Sequence, residues 1–221
     1  MRALLVAVAI VLPQTVLAGG PSVVIAVGYS PNVPAVKMQL RADCVAIPIT
    51  IQSDAKDPLK RIDQIENALR AISDRVKQHP DLAIRFGVVS LSPREQSKSF
   101  SSYESYGGSA AQLYVLAPLR PDTTVFGLAK RIHQVVTTVP VTNGTKVILG
   151  NTTLGMDDPE RFRPQLLGLI SKSAAEAKKS LGTDGPAEIE GLENPVAVMQ
   201  VNESEVVLFI NYRAKIQLKA A

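Results

Sequence analysis

The chain carries a single cysteine, Cys44, two histidines and no tryptophan in 221 residues. One cysteine cannot pair within the chain, which excludes a disulfide-stapled scaffold. The histidines, His79 and His133, stand apart from each other and from Cys44, without the His/His or Cys/His spacing of a zinc site. Gly107-Gly108 and Gly144 fall outside any phosphate-cradling pattern, and no serine occupies a Gly-x-Ser-x-Gly elbow. No catalytic set, cofactor site or metal site is therefore expected. Charge of one sign is missing too. The 24 basic and 20 acidic side chains interleave, as in Lys56-Asp57-Pro58-Leu59-Lys60-Arg61-Ile62-Asp63, so no nucleic-acid surface is expected.

What is present is apolar material, 46% of the residues with a mean hydropathy of +0.12. Part of it sits at the start. Met1-Arg2 supplies a positive charge, residues 3–12 form an unbroken apolar run, and Val16-Leu17-Ala18 precedes Gly19-Gly20. This is the pattern of a secretory signal peptide over residues 1–18, cut after Ala18. The run of about ten residues falls short of the roughly twenty that a bilayer-spanning helix needs. No later stretch is long enough either, so the mature chain is expected to be soluble, without a transmembrane segment, in the periplasm or secreted. The absence of cysteine at the cut argues against a lipid anchor. Losing Arg2 lowers the formal charge from +4 to +3.

Residues 19–221 read as one domain. Strand-like segments fall at 23–27, 40–51, 82–91, 111–119, 146–154, 187–201 and 205–218, with Pro48 marking an edge or a bulge in the second. An interruption is expected near Asn194-Pro195, and a hairpin at Asn202-Glu203-Ser204. Three amphipathic helices lie between the strands. The first opens at Asp57-Pro58, with Leu59, Ile62, Ile65, Leu69, Ile72 and Val76 along its apolar stripe. The second carries Val125, Leu128, Ile132, Val135 and Val139. The third follows Asp157-Asp158-Pro159-Glu160 and runs through Phe162, Leu166, Ile170, Ala174, Ala177 and Leu181 to Gly182. Hairpin links between strands point to an α+β fold, with antiparallel sheet and amphipathic helices packed on one face.

Four features carry a family resemblance: the short strand ending at Gly28, the segment ADCVAIPITIQSDAKDPLKRIDQIENALRAI, the helix SKSAAEAKKSLG, and the alternating C-terminal run EVVLFINYRAKIQL. Together they resemble the SIMPL-domain family of secreted bacterial proteins, which includes 26-kDa periplasmic immunogenic proteins. Tyr29-Ser30-Pro31-Asn32-Val33-Pro34 departs from the family's usual short turn, and the Leu-Gly helix end is less extended. The resemblance implies a SIMPL-like α+β domain over 19–221, a periplasmic or envelope location, and a tendency to form homo-oligomers or to contact an envelope protein partner. It also implies a role in envelope or oxidative-stress tolerance, without a recognised catalytic residue set.

Three local features bear on chemistry. Cys44 reads as a small buried hydrophobe, with an intermolecular disulfide as the alternative; a nucleophile would need a base nearby. Asp157-Asp158 lacks the alternating ligands of a calcium loop and reads as helix capping. Phe100, Tyr103 and Tyr106 sit among Ser and Gly, the mix of rigid rings and small polar residues that adaptable contact loops use. That loop is the candidate contact site, or else a hairpin tip covering the sheet edge. It also supports an alternative role as a periplasmic binding module for a small peptide or glycan ligand.

Overall fold

A computed structural model of the chain describes residues 23–26, 33–91 and 109–217; the expected leader and the loop with Phe100, Tyr103 and Tyr106 lie outside them. In chain order the elements are β1 (Val23–Ile25), β2 (Met38–Arg41), β3 (Cys44–Ser53), α1 (Pro58–Lys77), β4 (Ala83–Ser90), β5 (Ala110–Pro118), α2 (Val125–Thr137), β6 (Thr145–Leu149) and β7 (Thr153–Asp157). A 3₁₀ turn (Pro159–Phe162) leads into α3 (Arg163–Ser180), followed by β8 (Ala187–Glu190), β9 (Ala197–Gln200), β10 (Glu205–Phe209) and β11 (Arg213–Ile216). The fold is α+β with antiparallel sheets. The main sheet runs β1-β7-β3-β5-β4, with β6 also on β3; smaller sheets are β2-β10-β9 and β11-β8.

Strand β3 is the centre of the main sheet. It pairs with β5 on one side, and with β7 and then β6 end to end on the other. Pro48 accordingly marks an irregularity and not an edge. The Gly150 N–H donates to the Pro48 carbonyl at 2.8 Å, and the partner strand breaks at Gly150-Asn151-Thr152 just where proline offers no N–H.

Alternation along β3 sends Val45, Ile47, Ile49 and Ile51 into the main core, joined by Leu113 and Val115 of β5 and Leu154 and Met156 of β7. Helices α1 and α2 lie against β3 and β5, burying Ile65, Ala68, Ile72 and Val76 from one helix and Ile132, Val135 and Val136 from the other. Asp57 caps α1 as expected, its Oδ1 accepting from the N–H groups of Leu59 and Lys60 at 2.8 and 3.1 Å.

The α1 stripe differs in its first turns. Leu59 is exposed and Ile62 half-buried, while Arg61 and Gln64 face inward. Gln64 bonds the buried Ser53 hydroxyl at the end of β3 and donates to the Asn143 carbonyl at 3.2 Å, so polar anchoring sets the rotation of the helix there.

Two of the long strands expected from sequence are each two strands in different sheets. The 40–51 segment changes sheet at Ala42-Asp43: the Ala42 N–H bonds Ser204 beside β10, whereas the Asp43 N–H bonds Gly155 in β7. The 205–218 segment divides around Asn211, whose carbonyl accepts from Asn194 Nδ2 at 2.7 Å before β11 turns to pair with β8. The expected interruption near Asn194-Pro195 separates β8 from β9.

Candidate functional site

The face of the main sheet opposite the helices is apolar at one end. Cys44, Ala46 and Leu116 form a small buried cluster there with Val23, Ile25 and Tyr114 packed against it. Farther along, the same face turns polar through Thr50, Gln52 and Gln112, by the register that pairs Thr50 with Gln112. At the apolar end, the starts of β1, β3 and β4 meet the ends of β5 and β7. A surface-open cavity of about 470 Å³ opens between them. Its wall combines apolar Val23, Leu82, Ile84, Leu116 and Pro118 with polar Asp43, Cys44, Asp81, Arg85 and Asp157.

Asp43 organises this end of the sheet. Its Oδ2 accepts from the Asp157 N–H at 2.9 Å and from Arg161 at 3.1 Å, and its carbonyl accepts from the Leu119 N–H at 2.8 Å. Asp81 accepts from Arg131 at 3.4 Å, and the same guanidinium lies 3.0 Å from His79 Nδ1. Two wall carboxylates thus hold arginines that come from outside the wall. Asp157 differs: its buried Oδ1 has no hydrogen-bond partner.

Cys44 is buried and unbridged. Burial pushes its thiol up to about 11, with the Asp43 and Asp157 carboxylates adding to the rise and Arg85 opposing it. Loss of hydration penalises a thiolate, and neighbouring negative charge penalises it further. The sulfur stays protonated at neutral pH, as befits the buried-hydrophobe reading. Its recessed position disfavours the intermolecular disulfide.

The structure does not gather the other candidate residues around this thiol. His133 is exposed on α2 and lines a second cavity of about 440 Å³ with Lys130, Gln134, Gly150 and Thr152, at the break between β6 and β7. His79 is not part of the first cavity's wall; its ring lies beside Arg131, which holds Asp81, and its carbonyl accepts from the Leu82 N–H at 2.9 Å. Asp157 belongs to β7. Asp158 adopts a left-handed conformation, φ 41°, and makes no side-chain cap bond, so helix capping does not explain the pair. Glu160 does the local anchoring: it holds Arg163 at 2.6 Å and accepts from the Val196 N–H at 2.8 Å. Among the described residues, no cluster of three or more His, Cys, Asp or Glu side chains is arranged for a metal ion.

The cavity joins residues more than a hundred positions apart, such as Asp43 and Asp157, and no local spacing announces it. Its only signal in the sequence is indirect: acidic residues at strand ends, where the strands themselves bring them together.

No family model matches the chain, and no curated protein matches it. It is similar to an uncharacterized conserved protein from Listeria innocua at 10% identity and a TM-score of 0.16, over 80% of this chain and 92% of that one. So low a score carries no argument. Among the described residues no helix is long and apolar enough to cross a membrane.

Proposed function

We propose that this chain is an exported, SIMPL-type cell-envelope protein that acts without catalysis, through self-assembly, in envelope or oxidative-stress tolerance. The leader-like residues 1–18 support export, and the four motifs quoted above support the SIMPL type. The α+β architecture agrees with it at the level of class.

The observation that carries assembly is β4. Among the described residues it lies at the edge of the main sheet and pairs with β5 alone. An edge strand presents unpaired N–H and C=O groups, and proteins ordinarily blunt such edges with charge, proline or a bulge. The register shift between Phe86 and Val89 is one such bulge and interrupts the backbone ladder, so the contact offered here is one of side chains. Around it Phe86, Val88, Val89 and Leu91 are 65, 71, 52 and 46% exposed. Large apolar side chains concentrated on an edge mark a contact surface.

Light scattering on the exported protein tests this reading. An assembled species in the wild type, dispersed by Val88→Lys with Val89→Lys, is expected. A strict monomer at high concentration would overturn the assembly, and a purified protein that still begins at Met1 would overturn export. The alternative role, a binding module for a small envelope ligand, is supported by the cavity beside Cys44.

A further inference from the structure

Asparagine is among the chemically labile residues, and most so before glycine. That pair occurs once in the chain, at Asn143-Gly144 in the link between α2 and β6. The Thr145 N–H donates to the Thr142 carbonyl at 3.0 Å, closing a four-residue turn. Gly144 holds φ 88° at its third position while Asn143 keeps a negative φ, which makes the turn type II. Only glycine suits that position: a Cβ on Gly144 would lie 2.6 Å from Asp54 Oδ1, in a backbone region that other residues rarely adopt. The main-chain carbonyls of the pair are engaged, Asn143 accepting from Gln64 Nε2 at 3.2 Å and Gly144 from the Asp54 N–H at 3.0 Å. The groups that would react are not. Asn143 is exposed, and among the described residues neither its side-chain amide nor the Gly144 N–H makes a hydrogen bond.

We propose that Asn143 is a site of spontaneous deamidation whose effect reaches helix α1. The Gly144 nitrogen, having given its proton to hydroxide, attacks the Asn143 side-chain carbonyl carbon. A C–N bond forms, the bond to the side-chain nitrogen breaks, and that nitrogen leaves as ammonia. Water then opens the succinimide ring. Opening at the side-chain carbonyl gives aspartate; opening at the main-chain carbonyl gives isoaspartate, with an extra methylene in the backbone. Nothing is oxidised or reduced, and each event adds one negative charge. Glycine favours the attack because it carries no side chain to hinder it and lets the peptide plane turn. The isoaspartate product lengthens a turn whose carbonyl anchors Gln64, and Gln64 also holds Ser53, so the start of α1 loses the contacts that set its rotation. The site rests on neither export nor assembly.

Timed incubation of the full folded protein at neutral and mildly alkaline pH, followed by peptide mapping, tests this. Position 143 should show the small mass gain of an amide turned to an acid, faster in alkali, with isoaspartate among the products. Mapping separates this site from Asp184-Gly185, which isomerises without a mass gain. Asn143→Gln, whose longer side chain must close a six-membered ring, should lose the signal. The acidic fraction of the aged wild type should melt below Asn143→Asp, which carries the charge without the added methylene. Equal melting would confine the change to the turn and overturn the link to α1. No reaction at 143 in the folded protein, whatever happens in urea, would overturn the site, because the turn would then hold the two groups apart. An Asn143→Gln protein that reacts at this position as fast as the wild type would overturn it too.

Discussion

Gly155 of β7 stands directly opposite Cys44 of β3, and a Cβ on Gly155 would lie 2.8 Å from the Cys44 sulfur. The absence of a side chain on one strand makes room for the thiol on the other. Gly155→Ala forces an overlap that is relieved by turning the thiol or shifting the strands, and overpacking of this kind costs up to about 1–3 kcal/mol. The same Cβ would approach Val23 Cγ1 at 3.1 Å, so β1 feels the change as well. Cys44→Ala removes the sulfur and should recover a large part of the loss. Urea unfolding of the two single variants and the double variant measures the coupling; strict additivity would show that the sulfur is not what Gly155 accommodates.

Asp43 joins the sheet change at Ala42-Asp43 to the end of β7, through one oxygen that accepts both the Asp157 N–H and Arg161. The arginine contact is between half-exposed side chains, and such pairs contribute about 0–1 kcal/mol. The backbone bond matters more, because losing the acceptor strands an N–H in a partly buried strand end. Asp43→Ala is therefore expected to destabilise by about 1–3 kcal/mol, and Asp43→Asn, which keeps an acceptor oxygen, by distinctly less. Chemical denaturation of the pair checks this order, and equal losses would place the effect in the charge instead.

Helix α2 is legible in the sequence almost residue for residue, because one stripe of Val125, Leu128, Ile132 and Val135 meets one sheet face. Helix α1 is legible except at its start, where Gln64 bonds a serine and a carbonyl that only the fold brings near. The stripe of α3 fades after Ile170: Ala174 and Ala177 are half-buried and Leu181 is exposed. The divided strands escape a reading by pattern, since apolar alternation continues through Ala42-Asp43 while the hydrogen-bond partner changes. Pro48 signals an irregularity in sequence, yet the break it accompanies lies a hundred residues away at Gly150. The cavity is invisible for the same reason. Asp43, Asp81 and Asp157 are ordinary strand-end and turn residues until antiparallel pairing sets their ends side by side.

Acid should loosen the junction between the 3₁₀ turn and β9. The Glu160 carboxyl is held below its ordinary value of 4.5, chiefly by its hydrogen bond to Arg163; burial opposes this, and the Val196 N–H and the Arg163 charge lower it further. A carboxyl with a depressed folded-state pKa binds its proton more readily when unfolded. Its stabilising contribution is present in full above 4.5 and is lost as pH falls through the lower folded value. Glu160→Gln should lower Tm at pH 7 and flatten the decline of stability below pH 4.5. Thermal melts from pH 7 downward test this, and parallel curves for variant and wild type would remove Glu160 from the acid response.

The Cys44 thiol should react slowly. Burial beside Asp43 and Asp157 raises it from 9.0 to about 11, so at neutral pH its thiolate population is about a hundredfold below that of an ordinary thiol. Only the thiolate attacks iodoacetamide, displacing iodide, and access through the cavity adds a steric restriction. Alkylation of the folded protein at pH 7 is therefore expected to run about tenfold or more slower than in urea, the greater nucleophilicity of the raised thiolate offsetting part of its scarcity. Asp157→Asn removes one of the charges that hold the thiolate down, so it should speed the reaction in the folded state and leave the rate in urea unchanged. Mass spectrometry of timed samples reads both rates. A folded-state rate equal to that in urea would place the sulfur outside the recess, and an unchanged folded-state rate in Asp157→Asn would detach Asp157 from the electrostatics of the cavity.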